Sequence, residues 1–423
     1  MLAMARGCVG LLVMALAALS AVGQEAPAFP EGPPVSFLSR QGMTLMLESH
    51  PFSQVGLNKP DLLAYFQSGN HQDLLAGRAL LAQLRSQGFK VLRVELFPAG
   101  PAAIESFLTD EKVRKAQLFY IDQMLQECED HGMMLVCSLM GLDAWADLGH
   151  HSLVEAMINP NSPGRVKGEQ YIRTLVNRYQ RRTIIAAWEI GPQYNLAADL
   201  QEPQGPAPLS AKPNDPSWAQ QHTAPIIRDS RNNITSDQLA GFIGQVAGII
   251  RSEDSNHLIS AGYAAPRREA MHLLTACRQG QPPQWHDDSL EEQARYLELI
   301  HPDPVDLVSI NHFEMTPTRL ALLKSAADRL GKPLMVSQIG LMEPWINQGR
   351  YDSQAAEDHV AAQVAVLREL KVPLSLYWKL EDKPAAQAGG EVGEHCLRIG
   401  ATTKVLDLLR ECNTPQPGMQ AQP

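Results

Sequence analysis

The chain has 423 residues, a length that allows one large domain with insertions or two ordinary domains. Charged residues account for 19% and the apolar set (AVILMFWYC) for 44%, which excludes a disordered chain because a large core can form. Lys and Arg total 36 against 46 Asp and Glu, for a formal net charge of -10. Since no long Lys/Arg run is present, a general nucleic-acid-binding surface is excluded.

The first 23 residues have the pattern of a secretory signal peptide. Arg6 supplies a positive charge, residues 8–18 are apolar, and 21–23 (AVG) place small residues where a signal peptidase needs them. The apolar run is too short to span a bilayer comfortably. We therefore expect a secreted or periplasmic protein, cleaved near Gly23, with no further membrane segment. An uncleaved N-terminal anchor is the alternative.

After the signal peptide, a Pro-rich leader (24–35) precedes the part of the chain that we expect to fold, and a tail (413–423) follows it. Between them, short β-branched or apolar runs alternate with longer helical patterns. The eight predicted strands are Met43–Leu47, Val91–Leu96, Met133–Leu139, Ile184–Ile190, Leu258–Gly262, Val305–Ile310, Leu334–Ile339 and Leu374–Trp378.

Several of the segments between these strands have helical signals. One apolar face comprises Tyr171, Ile172, Leu175, Val176 and Tyr179, and another comprises Leu239, Phe242, Ile243, Val246 and Ile249. Thr235 and Gln238 have the spacing of a capping box at the start of the second helix. Gly88 and Gly132 are placed to end helices just before strands.

The alternation predicts an α/β fold, a closed (β/α)8 TIM barrel formed by residues 36–412 as one domain. An open doubly wound sheet is the alternative, but no Gly-rich phosphate turn follows the first strand. Six prolines between Pro203 and Pro225 mark a long loop insertion (197–233) after the fourth strand. In a barrel, this connection lies on the face that carries function.

Five cysteines would remain after cleavage, so at most two disulfide bridges can form. The bridge that we favour joins Cys396 and Cys412, and we expect Cys137 to be a free buried thiol. No CxxC is present and no His/Cys spacing suits zinc. We expect no metal and no other cofactor.

All six tryptophans lie at or after predicted strand ends, on the carboxyl-terminal side of the barrel. They are Trp145, Trp188, Trp218, Trp285, Trp345 and Trp378. Because indole faces stack on the C–H faces of sugar rings, a cleft lined with them suits a glycan. The alternative is that Trp188 and Trp378 belong to the barrel packing.

Two segments at strand ends carry recognisable motifs: AWEIGPQYNL (187–196) and PLMVSQIG (333–340). They resemble the W-E-[IL]-G-N-E and P-[IVL]-[ML]-[VI]-[ST]-E-[FY]-G motifs of retaining β-glycosidases of glycoside hydrolase family five and its clan. In that family, the final Glu of the first motif is the acid/base and the Glu of the second is the nucleophile. Supporting matches are Arg93 in VLRVELF, His312 after VDLVSIN and Trp378 in LYWKLED. The resemblance, in barrel order over about residues 36–412, implies a barrel that binds β-linked glycans.

The chain departs from the family at the positions that carry the chemistry. Gln193 stands at the acid/base position, Gln338 at the nucleophile position, and Pro192 where the family has an Asn. A Gln amide has neither a proton to give at a useful pKa nor an anionic oxygen to attack. The covalent route of a retaining enzyme would therefore be lost.

Other carboxylates near strand ends could act in their place, with a water between them as in inverting enzymes. The candidates are Glu314, Glu343 and Glu381, and the alternative is that they are rim charges. Asp143 is a weaker candidate. Glu189 is not one, because the family carries a supporting Glu at that position as well.

Three hypotheses follow: a secreted pseudo-glycosidase that binds a β-linked oligo- or polysaccharide, an active glycosidase with displaced carboxylates, and a scaffold that binds proteins. The first is favoured, with a monomeric protein and a gluco- or manno-configured ligand. The residues expected to contact the glycan are Arg93, Trp145, Pro192, Trp218, His312, Trp345 and Trp378.

Overall fold

The structure, a computed structural model, describes residues 34–96, 101–148, 152–200, 230–311, 316–340, 354–378, 380 and 403–413. The predicted signal peptide, residues 201–229 of the predicted insertion and residues 414–423 of the predicted tail lie outside these ranges. No helix within the described ranges is long and apolar enough to cross a membrane.

The described chain opens with a small antiparallel sheet of three strands, β1 (Ser39–Gln41), β2 (Thr44–Leu47) and β3 (His50–Pro51). The prediction that 43–47 forms the first barrel strand is therefore wrong. The two leucines of β2 are buried and the residues between and before them are not, as expected for a strand with one solvated face. A barrel strand is instead buried on both faces.

Eight strands form a single parallel sheet in the order β8-β7-β6-β5-β4-β11-β10-β9. They are β4 (Gln54–Asn58), β5 (Val91–Glu95), β6 (Met134–Ser138), β7 (Ile185–Glu189), β8 (Leu258–Ser260), β9 (Val308–Asn311), β10 (Leu334–Ile339) and β11 (Leu374–Tyr377). A parallel bridge between Ser260 and Leu307 joins the two edges, so the sheet closes on itself. This confirms the predicted (β/α)8 barrel.

The true first barrel strand, β4, is buried throughout and has a glycine at its centre. A Cβ at Gly56 would lie 2.3 Å from the carbonyl oxygen of Val91 on β5, so only glycine fits the close approach of the two strands. The glycine also breaks the hydrophobic run, which is why the sequence pattern of this strand is weak.

The small sheet closes the amino-terminal end of the barrel. Leu45 and Leu47 of β2, with Phe52, belong to one apolar cluster with residues from the beginnings of the barrel strands, such as Val91 and Met134. This burial leaves the carboxyl-terminal ends of the strands as the open mouth of the barrel.

Helices cover the outside of the barrel. They are α1 (Ala64–Gln67), α2 (His71–Ser86), α3 (Pro101–Thr109), α4 (Glu111–Asp130), α5 (Leu142–Leu148), α6 (Leu153–Ile158), α7 (Pro163–Tyr179), α8 (Ser236–Glu253), α9 (Ala270–Arg278), α10 (Leu290–Ile300), α11 (Pro317–Arg329), and two further helices, Gln354–Glu369 and Thr403–Asn413. The apolar face predicted in α7 is buried, and the capping box between Thr235 and Gln238 starts α8 as predicted. Gly88 and Gly132 both have left-handed backbone after a helix end.

Two predictions about the end of the chain are wrong. Cys412 is a free thiol, so it does not pair with Cys396, which lies outside the described residues. Asn413, expected to begin the tail, is the last residue of the final helix. Its Oδ1 accepts from the N–H of Val55 on β4 at 2.8 Å, and its Nδ2 donates to the carbonyl oxygen of Val55 at 2.9 Å. These bonds fasten the final helix to the barrel. Cys137 is free and buried, as predicted.

Candidate functional site

The turn after β7 holds Gln193 in an unusual backbone conformation. Its φ is 60°, in the left-handed region, and its N–H donates to the carbonyl oxygen of Gly262 at 2.8 Å. Two residues earlier, a Cβ at Gly191 would lie 2.0 Å from the carbonyl oxygen of Met140 and 2.4 Å from the hydroxyl of Tyr194. The close packing at Gly191 and the bond to Gly262 together fix where the side chain of Gln193 lies.

Gln193 meets Gln338, which lies near the carboxyl end of β10. The Nε2 of Gln193 donates to the Oε1 of Gln338 at 3.3 Å, and the two residues are only 2% and 3% exposed. The Oε1 of Gln193 is buried and has no hydrogen-bond partner in the described part of the chain. The barrel mouth therefore contains a pair of amides with an unsatisfied acceptor.

A second orphaned group lies on the neighbouring strand. Asn311 on β9 is the register partner of Gln338, and its Oδ1 accepts from the hydroxyl of Ser337 at 2.7 Å. Its Nδ2 is buried without a partner among the described residues. Asn311 was not predicted as a site residue, since a polar residue at a strand end carries no motif of its own.

Glu189, at the end of β7, is paired with Arg93 on β5. The Nε of Arg93 lies 3.0 and 3.1 Å from the two carboxylate oxygens, and both residues are buried. Burial acts to lower the pKa of Arg93, but the charge of Glu189 and its hydrogen bonds outweigh it and the pKa is raised. Arg93 thus holds Glu189 in place, and the glycan contact expected for Arg93 stays a prediction.

Trp145 does not line the mouth, so that expectation is wrong. Its indole N–H donates to the hydroxyl of Tyr194 at 3.0 Å, and its ring packs edge-on against Phe242 with centroids 4.9 Å apart. The ring is fully buried between α5, α7 and α8 because Gly168 on α7 leaves room for it. A tryptophan enclosed in this way cannot stack on a ligand.

Trp188 is also part of the packing, the alternative considered for it from the sequence. Its indole N–H donates to Oδ2 of Asp254 at 2.8 Å. Trp378, directly after β11, is only partly buried, and its backbone N–H donates to Ile339 at 2.7 Å. It is the expected aromatic that the structure places at the mouth with some exposure. Trp285, in the connection after α9, is 37% exposed.

Several expected site residues lie outside the described residues: Trp218, His312, Glu314, Glu343, Trp345 and Glu381. Pro192 is described and half-buried, directly before Gln193. The roles proposed for all of these residues stay predictions.

Asp143 is a carboxyl group after β6 with a raised pKa. It lies in the first turn of α5, after β6, and its pKa is raised to about 6, first by burial and then by the charge of Asp147. Its Oδ1 is buried without a hydrogen-bond partner in the described chain. A carboxyl with a pKa near 6 exchanges protons at neutral pH, which the sequence position alone did not indicate.

Comparison with solved structures identifies the fold. An endo-1,4-beta-mannanase from Rhizomucor miehei matches with a TM-score of 0.62 at 13% identity, over 89% of this chain and 99% of that one. A glycoside hydrolase family 5 mannosidase from the same organism matches with a TM-score of 0.55 at 13% identity, over 90% and 98%. The beta-mannanase of the blue mussel Mytilus edulis matches with a TM-score of 0.53 at 10% identity, over 92% and 99%. The chain has the (β/α)8 fold of these enzymes.

The fold of family 5 mannanases was the fold implied by the two strand-end motifs. At 10–13% identity, the likeness to these structures concerns the fold alone. No protein-family model matches the sequence, and no curated protein matches it. Within this mannanase-like barrel, the amide pair of Gln193 and Gln338 lies at the carboxyl ends of β7 and β10, the strands that carry the two motifs.

Proposed function

We propose that this protein binds a β-linked glycan at the mouth of its barrel and does not hydrolyse it. The observation that carries the proposal is the amide pair, in which Gln193 donates to Gln338 at 3.3 Å. Similar folds belong to mannanases and mannosidases, which favours a manno-configured ligand. In this proposal, Gln193 and Gln338 stand where retaining glycosidases have their acid/base and nucleophile.

The chemistry of amides supports the absence of turnover. Retention requires one carboxylic acid that protonates the leaving oxygen and one carboxylate that forms the glycosyl ester, about 5–5.5 Å apart. Neither Gln193 nor Gln338 provides either group, and the nearby carboxylate of Glu189 is held by Arg93. The pair retains hydrogen-bonding capacity, so it can position a hydroxyl without breaking a bond.

The orphaned polar atoms support glycan binding. An unpaired buried acceptor such as Oε1 of Gln193 costs about 1–3 kcal/mol, and a sugar hydroxyl is a donor that would satisfy it. The unpaired Nδ2 of Asn311, on the strand next to Gln338, would donate to a sugar oxygen in the same way. Trp378 adds a partly exposed indole on which a sugar ring stacks.

The test measures binding and hydrolysis on the same ligands. Mature protein is titrated calorimetrically with β-1,4-linked manno- and gluco-hexasaccharides, and reducing ends are counted after prolonged incubation. We expect binding without release of reducing ends. Binding should weaken at least about tenfold in Trp378→Ala and Gln193→Ala, whereas Phe119→Ala, an exposed aromatic on α4, serves as the matched control. Robust hydrolysis by the wild-type chain would overturn the proposal.

An active glycosidase with a displaced carboxylate is the second candidate, and the raised pKa of Asp143 is what favours it. In that case Asp143→Asn would abolish turnover while leaving glycan affinity within about twofold. If the chain neither binds nor cleaves any glycan, the protein-binding scaffold becomes the better explanation.

We also infer that the chain is exported and monomeric. The motivation is the n-region, apolar run and small residues of 1–23. N-terminal sequencing of the protein from the culture medium or periplasm should begin at or near Gln24, and light scattering should give the mass of one chain. A full-length protein retained in the membrane fraction would support the uncleaved anchor instead.

A further inference from the structure

A cluster of potential metal ligands lies in the connection between β8 and α10. His272 is in the first turn of α9, Asp288 directly precedes Ser289, the N-cap of α10, and Glu292 is in the first turn of α10. One ligand atom from each of the three residues lies within 4.8 Å of the others. His272 lies 16 residues before Asp288, so the three residues do not form one short sequence motif.

Asp288 is the fixed centre of the cluster. Its side chain is buried, and it accepts from the backbone N–H groups of Met271 at 2.6 Å and His272 at 3.0 Å. It therefore holds the start of α9 against the start of α10. Glu292 is held as well, because its carboxylate accepts from the backbone N–H and the hydroxyl of Ser289, both at 2.7 Å, in a capping box.

The ring of His272 contacts both Asp288 and a second imidazole. Its Nδ1 is in ion-pairing contact with Oδ1 of Asp288. A second imidazole, His286, lies against it with ring centroids 3.8 Å apart and planes inclined by 49°. One imidazole nitrogen and two carboxylates thus lie close together at this junction, with a second imidazole beside them.

We propose that His272, Asp288 and Glu292 bind a divalent transition-metal ion of the Zn²⁺ class. Imidazole nitrogen and carboxylate oxygen bind Zn²⁺ at about 2.0–2.2 Å, so ligand atoms within 4.8 Å need only small side-chain rotations to converge on one ion. Mixed nitrogen and oxygen donors disfavour Ca²⁺ and Mg²⁺, which prefer oxygen alone. The site shares no residue with the amide pair.

The ion would brace the face of the barrel that carries the mouth. The same connection includes Gly262, whose carbonyl oxygen accepts from the N–H of Gln193. It also includes Ala264, whose N–H donates to Oδ1 of Asn195 and whose carbonyl oxygen accepts from Nδ2 of Asn195, both at 2.9 Å. It also carries the exposed Trp285. Joining α9 to α10 would therefore stabilise the loop that positions the turn after β7.

The experiment uses the full mature chain, purified without a polyhistidine tag and dialysed against EDTA. Calorimetric titration with ZnCl2 should show one ion per chain, and Co²⁺ should give the visible absorption of a tetrahedral site. Thermal unfolding should shift upward by about 2–5 °C at saturating Zn²⁺. His272→Gln should weaken Zn²⁺ binding at least about tenfold.

Two further variants separate ligation from folding. Glu292→Gln keeps the capping box, since Gln serves equally at that position, so a loss of Zn²⁺ affinity there reports the lost carboxylate. His71→Gln, an exposed histidine at the start of α2, is the matched control and should bind Zn²⁺ like the wild type. Failure of the wild-type chain to bind Zn²⁺, Co²⁺ or Ni²⁺, or unchanged affinity in both His272→Gln and Glu292→Gln, would overturn the proposal.

Discussion

Gln193 and Gln338 are 145 positions apart in the chain, yet the amide of one donates to the amide of the other at 3.3 Å across the barrel mouth. Neutral amides tolerate this proximity. Two carboxylates so close repel one another, and one of them then keeps a proton to a higher pH, as in pairs of acids that share a site. Two glutamic acids placed at positions 193 and 338 would therefore have different pKa values, one of them raised.

The first prediction concerns restoring both acids. Gln193→Glu with Gln338→Glu should show measurable hydrolysis of a β-linked glycan if only these groups are missing. Each single change should recover little, because the acid/base and the nucleophile act as a unit. The pH profile of the double variant should be bell-shaped, with one limb above the ordinary Glu pKa. A flat profile, or equal activity in a single variant, would contradict the model.

The second prediction concerns Pro192. Proline fixes its own φ near about −65°, and the next residue, Gln193, has a left-handed φ of 60°. A restored acid is thus held on a constrained turn, and a misplacement of about 1 Å costs about a hundredfold in rate. Adding Pro192→Asn to the double variant should raise kcat/KM about tenfold or more. A triple variant that folds and binds glycan without cleaving it would show that the cleft has diverged elsewhere.

The third prediction concerns the buried pair of Arg93 and Glu189. Arg93→Met leaves an unpaired carboxylate in the barrel and should lower the free energy of unfolding by about 3–5 kcal/mol in urea denaturation. Adding Glu189→Gln should recover part of this loss, since the charge is then removed. Lys115→Met, at an exposed ion pair with Glu111, is the control and should change stability little. Equal losses in the single and double variants would contradict the explanation.

The fourth prediction compares two helical glycines. A Cβ at Gly168 on α7 would lie 2.2 Å from the ring of Trp145, so Gly168→Ala should destabilise the protein by about 1–3 kcal/mol. At Gly241 on α8 nothing lies within 4 Å, and Gly241→Ala should stabilise the helix by about 0.5–1 kcal/mol. Chemical denaturation measures both. The same sign for the two variants would mean that the packing of Trp145 differs from that described.

The fifth prediction concerns acid stability and His301. Burial lowers the pKa of this histidine to about 4, and its ring bonds the carbonyl of Leu297 and the N–H of Ser309. Below about pH 6.5 the unfolded chain binds a proton that the folded chain does not, so this contribution to stability is complete above pH 6.5 and falls as the pH drops to about 4. The loss should reach about 3 kcal/mol. In His301→Gln, which cannot titrate, the pH dependence over this range should be shallower by that amount.

Local pattern predicted much of this fold. Seven of the eight barrel strands, β5 to β11, have ends within three residues of the predicted runs, because strands buried on both faces are continuously apolar. Capping chemistry is local as well, so the start of α8 at Thr235 followed from the sequence. The first barrel strand was missed because QVGLN contains a polar residue at each end and a glycine at its centre, where the strand closely approaches the backbone of Val91 on β5.

The amino-acid sequence by itself determined the barrel and placed an amide at the end of each of two strands, since periodicity and motif register are properties of neighbouring residues. The tertiary structure decided what those residues contact. Trp145 is enclosed between helices, Glu189 is paired with Arg93, and Gln193 is hydrogen-bonded to Gln338. The tertiary structure also gathered His272, Asp288 and Glu292 at one junction. Each of these contacts is between residues of different elements of the fold. Closure of the barrel brings such residues together, and a local sequence pattern contains no information about which of them meet.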